Sequence, residues 1–292
     1  MDLLIFTKAP SAYEPSRIFE EGRKFGLKAG IVAYSDLDFV IKNSKVMVFW
    51  QGKALPEAKM VIFRAAGGDD FYIPQRDYLI AWFNERGAKV LNAATYKKWS
   101  RLDKITQHFE FFNAGIPFID SQVYGLNERL LSQTKSFPAI IKKNLSSRGK
   151  DVFKIEKKKD FTRLFDQGYW ARTMLLQPFL KIGQDIRVIV IGGKVIGAMK
   201  RTAQPGKYLT NYSQGGIIAA YDIQKDPQAI EIAAKTAKHF LLDYVGVDLM
   251  MSDEGLWQVL EVNRACQFKG FEEATKINVP EKVINFLQSK RR

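Results

Sequence analysis

The sequence predicts an α/β fold that opens on a small parallel sheet and becomes α+β in its C-terminal part. Two observations predict it. Strand-like and helix-like stretches alternate over roughly residues 1–95, the order that a parallel sheet with crossover helices requires. Further along, apolar strands follow one another across short glycine-bearing turns, as antiparallel hairpins do. At 292 residues the chain is long enough for two or three domains.

The elements follow in order. "DLLIFTK" is the first strand. "SRIFEEGRKFG" carries apolar residues at helical spacing, with Gly26 as its stop. "KAGIVAYS" and "KMVIFRAAG" are further strands, and "QRDYLIAWFNERGAKVLNA" is a helix, a Gly87 cap and a strand. In "SRLDKITQHFEFFNAGIPFID", Ser100 can cap a helix containing Ile105, Phe109 and Phe112, which Gly115 ends. "FPAIIKKNLSSRGKDVFKIE" reads as strand, polar loop, strand. "KKKDFTRLFDQGYW" is a helix and "RTMLLQPFLK" a strand ending in a turn. "QDIRVIVIGGKVIGAMKRTA" is a hairpin with Gly192-Gly193 at its tip, a strong two-residue turn signal. "PQAIEIAAKTAKHFLLD" is the longest amphipathic helix. A strand "YVGVDLMM", a turn "SDEG" and a strand "LWQVLEVN" come after it. Internal repeats, low-complexity tracts and long linkers are absent from the sequence.

The composition narrows the function classes. Hydrophobic residues at 46% and charged residues at 26% are those of a globular protein. No apolar run approaches the roughly 20 residues of a membrane span. The N-terminus lacks the basic region of a signal peptide, so a cytoplasmic protein is expected. The single Cys266 excludes an internal disulfide, and two isolated histidines, His108 and His239, argue against a histidine metal cluster or a Ser-His-Asp triad. The net charge of +14 suits an anionic partner. It is spread along the chain, and its densest runs, "KIEKKKD" and "KRR", read as solvated surface rather than a nucleic-acid patch. A homo-oligomer stays open.

Three constellations carry chemistry. The first is the closing hairpin. If Glu254-Gly255 forms its tip, Asp248 stands directly across from Glu261, and Asn263 lies on the same face. Like charges in that position repel, and burying both among Val247, Leu249, Val259 and Val262 costs more. A divalent cation resolves this, and three oxygen donors suit Mg²⁺ or Mn²⁺ better than Zn²⁺. Acids on an exposed edge strand are the equal alternative. The second is the hairpin over 185–201. A Gly-Gly tip places Asp185 opposite Lys200, with Arg187 on their face and Arg201 next along; this is an anion site or a surface salt bridge. The third is "IIKKNLSSRGKDVF", where Lys142 ends a strand before a loop whose Ser146, Ser147, Arg148 and Gly149 can cover phosphates. Neither a P-loop nor a Gly-x-Gly-x-x-Gly spacing is present.

Taken in order, these pieces resemble a RimK-type ATP-grasp ligase, a relative of glutathione synthetase and the lysine-biosynthesis ligases. The resemblance covers nearly the whole chain. It is most specific in "LDKITQHFEFFNAGIP", "AIIKKNLSSRGKDV", "LLQPFLKIGQDIRVIVIGGKVIGAMKR", "NYSQGG" and "VGVDLMM…WQVLEVNRACQFKGFEEAT". It implies an N-terminal domain over 1–95, a small lid subdomain over 96–175 and a C-terminal subdomain with the metal site over 176–292. It implies ATP and two Mg²⁺ or Mn²⁺ ions, held by Asp248, Glu261 and Asn263. Lys104, Lys142 and Ser147 would meet the nucleotide phosphates. Gln177, Pro178, Phe179 and Leu180 would meet the adenine, and Asp185, Leu209, Thr210 and Asn211 the rest of the nucleotide. Arg187, Lys200 and Arg201 would act on the transferred phosphate and acyl group. The implied reaction joins a carboxylate to an amine through an acyl phosphate. The expected partners are an amino acid and an anionic peptide or polycarboxylate. A peptide-modifying enzyme, or a non-catalytic nucleotide- or nucleic-acid-binding protein on the same fold, is the alternative. The chain departs from the family pattern in five places: Gln177-Pro178 replaces Gln-Glu at the hinge, the ribose-holding acid after it is absent with Lys181 nearby, Ser147 and Arg148 replace smaller residues in the phosphate loop, Gln214 replaces a basic residue before the Gly-Gly pair, and "RACQFKG" replaces small residues and proline after Asn263.

Overall fold

A computed structural model describes residues 1–64, 71–146 and 149–289. The chain begins β1 (Leu3–Thr7), α1 (Tyr13–Lys24), β2 (Ala29–Ala33), β3 (Leu37–Lys42), β4 (Lys45–Trp50), β5 (Lys53–Ala54), β6 (Met60–Phe63), α2 (Ile73–Glu85), β7 (Lys89–Val90) and α3 (Ala93–Lys98). Strands β2-β1-β6-β7 make a parallel sheet in that order. Every residue of β1 is buried, which is why it reads as an unbroken apolar run. The antiparallel ribbon β3-β4-β5 is absent from the sequence reading. Its tip is Asn43-Ser44, both at positive φ (50° and 56°), a primed turn without the glycine that usually announces one.

The chain continues with α4 (Lys104–Asn113), α5 (Asn127–Gln133), β8 (Ala139–Lys143), β9 (Val152–Ile155), α6 (Lys158–Asp166) and β10 (Met174–Pro178). Strands β10-β8-β9 form a small antiparallel sheet. The expected division at 175/176 falls inside β10, whose five residues all pair with β8. Helix α4 is capped by Asp103, which accepts from the Thr106 amide at 2.9 Å, not by Ser100. Its buried face is Lys104, Gln107, His108 and Phe111, whereas Phe109 and Phe112 are 65% and 75% exposed.

The last part is β11 (Gln184–Ile191), β12 (Lys194–Thr202), β13 (Ile217–Tyr221), α7 (Pro227–His239), β14 (Tyr244–Met251), β15 (Trp257–Asn263), α8 (Lys269–Thr275) and α9 (Val279–Ser289). Strands β13-β12-β11-β14-β15 form one antiparallel sheet. Helix α7 and Phe111 cover one face, in a core with Val188, Val247 and Val259. The other face shares a core with α8, α9 and the parallel sheet, from Ile189 and Tyr244 through Phe271 to Leu3 and Ile5. Among the described residues no helix is long and apolar enough to cross a membrane.

Two bulges reset the hairpin registers. Next to the turn over 252–255, pairing runs Met251↔Trp257 to Leu249↔Val259, one residue off the register of a two-residue tip. Leu260 is then the extra residue of a bulge, and the expected pairs return: Asp248↔Glu261 and Gly246↔Asn263. The predicted facing pair is right although the predicted tip is wrong. In the other hairpin the Gly192-Gly193 tip is as expected, but Ile196 bulges out. Asp185 therefore faces Arg201, not Lys200. Lys200 pairs with Ile186, on the opposite face from Asp185, Arg187 and Arg201.

Asn92 ties the parallel sheet to the large one. It is buried in the left-handed conformation (φ 61°), which asparagine tolerates. Its side chain donates to the carbonyls of Tyr244 (2.8 Å) and Arg264 (3.0 Å) and accepts from the Tyr244 amide (3.0 Å). Its own amide donates to Asp243 at 2.8 Å. Asn92→Ala should cost about 2–4 kcal/mol, from bared backbone groups and backbone strain. Asn92→Gly should cost less. Urea unfolding measures both, and a loss under about 1 kcal/mol for alanine would contradict this role.

Candidate active site

A cleft lies between the small sheet and the large one. Ile140 and Lys142 of β8 and the hinge Gln177–Leu180 line one side. Asp185, Arg201, Asp248, Met250 and Glu261 of the large sheet line the other, and Lys104 and Tyr208–Asn211 close the flanks. Of the residues the sequence singles out, Lys104, Lys142, the four hinge residues, Asp185, Arg201, Leu209, Thr210, Asn211, Asp248 and Glu261 thus meet in one cavity. Arg187 and Asn263 stand beside it, bonded to Asp248. Ser147 lies outside the described residues. Lys200 does not line the cavity, because the Ile196 bulge turns it to the far face.

The large sheet contributes a buried charge network. Arg187 grips Asp248 with two bonds, Nε to Oδ1 at 2.7 Å and Nη2 to Oδ2 at 2.8 Å. Arg201 joins Asp185 at 2.6 Å and Asp248 at 3.0 Å. The Thr210 hydroxyl donates to the second oxygen of Asp185. Burial alone would raise the Asp248 carboxyl, but the two guanidiniums hold it below the usual carboxylate range. Burial likewise opposes the charge on Arg187, and Asp248 more than offsets it. Removing one member would strand a buried charge, at about 3–5 kcal/mol.

Lys104 and Lys142 are placed differently. Lys104 donates to the Ser146 carbonyl at 2.7 Å and lies 3.7 Å from Glu261. Lys142 has its pKa lowered to about 8, by burial first and then by nearby Lys104, with Glu261 acting against both. His108 is pushed down to about 4, mainly by burial, and is neutral. Its Nδ1 sits 2.7 Å from the Lys104 carbonyl, so that nitrogen donates and Nε2 accepts from the Gln177 amide at 3.1 Å. Gln177 also donates to Ser121 at 2.9 Å, which fixes its side chain at the hinge. Pro178 is tolerated because Leu176, on the same edge, bonds outward to Gln122 rather than to β8. The missing N–H of Pro178 therefore removes no ladder bond.

Repulsion between Asp248 and Glu261 is answered by protein cations: Arg187 and Arg201 for Asp248, and Lys104 for Glu261. The facing carboxylates therefore have protein counter-ions with no cation bound. Among the described residues no group of three His, Cys, Asp or Glu side chains is gathered to hold one. Asp248, Glu261 and Asn263 nonetheless put oxygen donors on one sheet face, and Glu261 is 30% exposed. That donor set fits a hard divalent cation. Sequence reasoning missed Tyr208, whose hydroxyl donates to the Val152 carbonyl at 3.1 Å and ties this flank to β9. It also missed Met250, two residues from Asp248 on the same strand face, where period two would have found it.

The chain is similar to known proteins along its length. The model of the RimK-like ATP-grasp domain matches residues 105–287. A probable alpha-L-glutamate ligase 1 of Shewanella frigidimarina is 30% identical over 299 residues, covering 99% of this chain and 95% of that protein. The solved structure of the ATP-grasp ligase PsnB complexed with minimal precursor has a TM-score of 0.74, at 19% identity over 99% of each chain. That of the macrocyclase MdnC bound with precursor peptide MdnA from Microcystis aeruginosa has a TM-score of 0.72, at 15% identity over 99% of this chain and 100% of that one.

Lys142 loses its charge as pH rises through about 8. A bound polyanion favours the charged form, so binding above that pH takes up a proton. Tripolyphosphate affinity should be flat below about pH 7 and fall by up to about tenfold per unit above about pH 8.5. Calorimetry near pH 9, in buffers of different ionisation enthalpy, should register uptake approaching one proton; none would contradict the placement of this amine.

Proposed function

The chain belongs to the RimK-like ATP-grasp family, and from that membership we propose that it is an ATP-dependent ligase that adds an amino acid to an acidic peptide or polycarboxylate through an acyl phosphate. The cleft carries this reading. It joins two lysines, a strand-end hinge and a carboxylate–arginine face in one space between two sheets. Phosphoryl transfer needs positioning and charge neutralisation more than a covalent nucleophile, which agrees with a site whose histidine is buried and neutral.

In this reading the carboxylate oxygen of one substrate attacks the γ-phosphorus of ATP, and ADP leaves. The amine of the second substrate then attacks the acyl carbon, an amide forms, and phosphate departs with the proton lost from the amine. Lys104 and Lys142 hold the phosphates, and hinge backbone groups at Pro178–Leu180 meet the base. Arg187 and Arg201 neutralise charge that builds on the transferred group. Asp248, Glu261 and Asn263 would hold Mg²⁺, which would supply positive charge to offset that of the phosphates. The glutamate-ligase name of relatives that match over 99% of the chain makes glutamate the first amino acid to test. The basic excess of the chain favours an acidic acceptor. Peptide modification is the second reading, supported by folds of the same shape bound to precursor peptides.

Glu261→Ala should lower metal-dependent turnover by at least about a hundredfold. It should change stability by under about 1 kcal/mol, because its ion pair with Lys104 is long and partly exposed. Phosphate release from ATP with glutamate and acidic peptides, read together with product mass, is the assay. Undiminished turnover would remove Glu261 from the metal site, and release that no carboxylate stimulates would contradict the ligase reading.

A further inference from the structure

Asp248 is well placed to bind a cation and poorly free to do so. Its Oδ1 accepts from Arg187 Nε at 2.7 Å. Its Oδ2 accepts from Arg187 Nη2 at 2.8 Å and Arg201 Nη2 at 3.0 Å, with Asn263 Nδ2 at 3.4 Å. A carboxylate offers about four acceptor positions, so Oδ2 is filled and Oδ1 keeps one. Glu261, directly opposite, pairs among the described residues with Lys104 at 3.7 Å, lies within the field of Lys142, and lines the cleft. A dication arriving through the cleft meets Glu261 first and must then compete with two guanidiniums for Asp248.

The two arginines are not equivalent in this contest. Arg201 is 2% exposed and is also pinned by Asp185 at 2.6 Å. Arg187 is 13% exposed, and among the described residues its one hydrogen bond away from Asp248 is to the Gln267 carbonyl, at 3.3 Å. Once displaced, Arg187 needs another anion, since a buried charge without a partner is far costlier than a paired one. A polyphosphate in the cleft that Lys104 and Lys142 line supplies that anion. We propose that Arg187, backed by Arg201, is an internal counter-ion latch on Asp248, so that a divalent cation and the nucleotide phosphates load as a coupled pair. This rests on the ligase reading above. The nucleotide-free protein then binds the cation weakly, and each ligand strengthens the other because each takes the partner the other releases.

The test is Mn²⁺ binding to the full chain without nucleotide, followed by electron paramagnetic resonance. Arg187→Met should bind Mn²⁺ about tenfold more tightly than the unsubstituted protein. Lys142→Met removes an equally positive group that does not touch Asp248, and should gain much less. Arg187→Lys keeps the charge but cannot grip both oxygens; it should gain a few-fold, and it covers the case in which the methionine variant fails to fold. Equal gains for Arg187→Met and Lys142→Met, or no gain for either Arg187 variant, would overturn the latch. ADP binding with saturating Mg²⁺ is measured on the unsubstituted protein. ADP binding there without the Mn²⁺ gain in the variants overturns the latch alone, whereas failure of the unsubstituted protein to bind ADP overturns the ligase reading itself.

Discussion

On one face of the five-stranded sheet, Glu261, Asp248, Arg187, Asp185 and Arg201 stand on four neighbouring strands, and acid meets base at almost every step. Asp248 is at the centre, gripped by Arg187 and reached across β11 by Arg201. Such charges are tolerable in a buried place only when they neutralise one another. They contribute little net stability. The apolar cores on both faces of the sheet supply that. Both bulges serve this placement. Without the extra Leu260, Asp248 would not face Glu261 next to that turn, and without the extra Ile196, Lys200 would replace Arg201 beside Asp185.

Much of the fold is legible in the sequence because its strands and helices carry strong periods. The all-buried β1 and the Gly-Gly tip are local signals that tertiary structure does not override. The ribbon β3-β4-β5 was hidden because its turn is Asn-Ser. Phe109 and Phe112 of α4, apolar at helical spacing, point outward, while Lys104, Gln107 and His108 face inward. Lys104 is buried at the cleft, His108 against the hinge residue Gln177 and Gln107 on the backbone of β15, which a hydrophobicity pattern cannot show. The residues gathered in the site were legible by type and order. The register between strands was not, since a bulge leaves no mark in a run of apolar residues.

The segment after Asn263, where the chain leaves the family pattern, is a structural junction. Arg264 donates to the carbonyls of Trp99 and Ser100 and lies over the ring of Tyr96 at 4.3 Å. From the parallel sheet, Arg64 reaches the carbonyls of Ala265 and Cys266, and Asn92 reaches that of Arg264. These bonds tie the end of the carboxylate-bearing strand to the N-terminal sheet. The basic residues here are held by backbone carbonyls, so they position the chain beside the site. Among the described residues the lysine and arginine side chains that line the cleft are Lys104, Lys142 and Arg201.

The account stands or falls on the acyl phosphate. Its most direct test follows oxygen. An acidic acceptor labelled with ¹⁸O in the reacting carboxylate is incubated with ATP, Mg²⁺ and glutamate, and the released phosphate and nucleotide are weighed by mass spectrometry. The account predicts ADP, and one ¹⁸O carried into phosphate for each amide formed. Unlabelled phosphate, or label appearing in AMP, would contradict it.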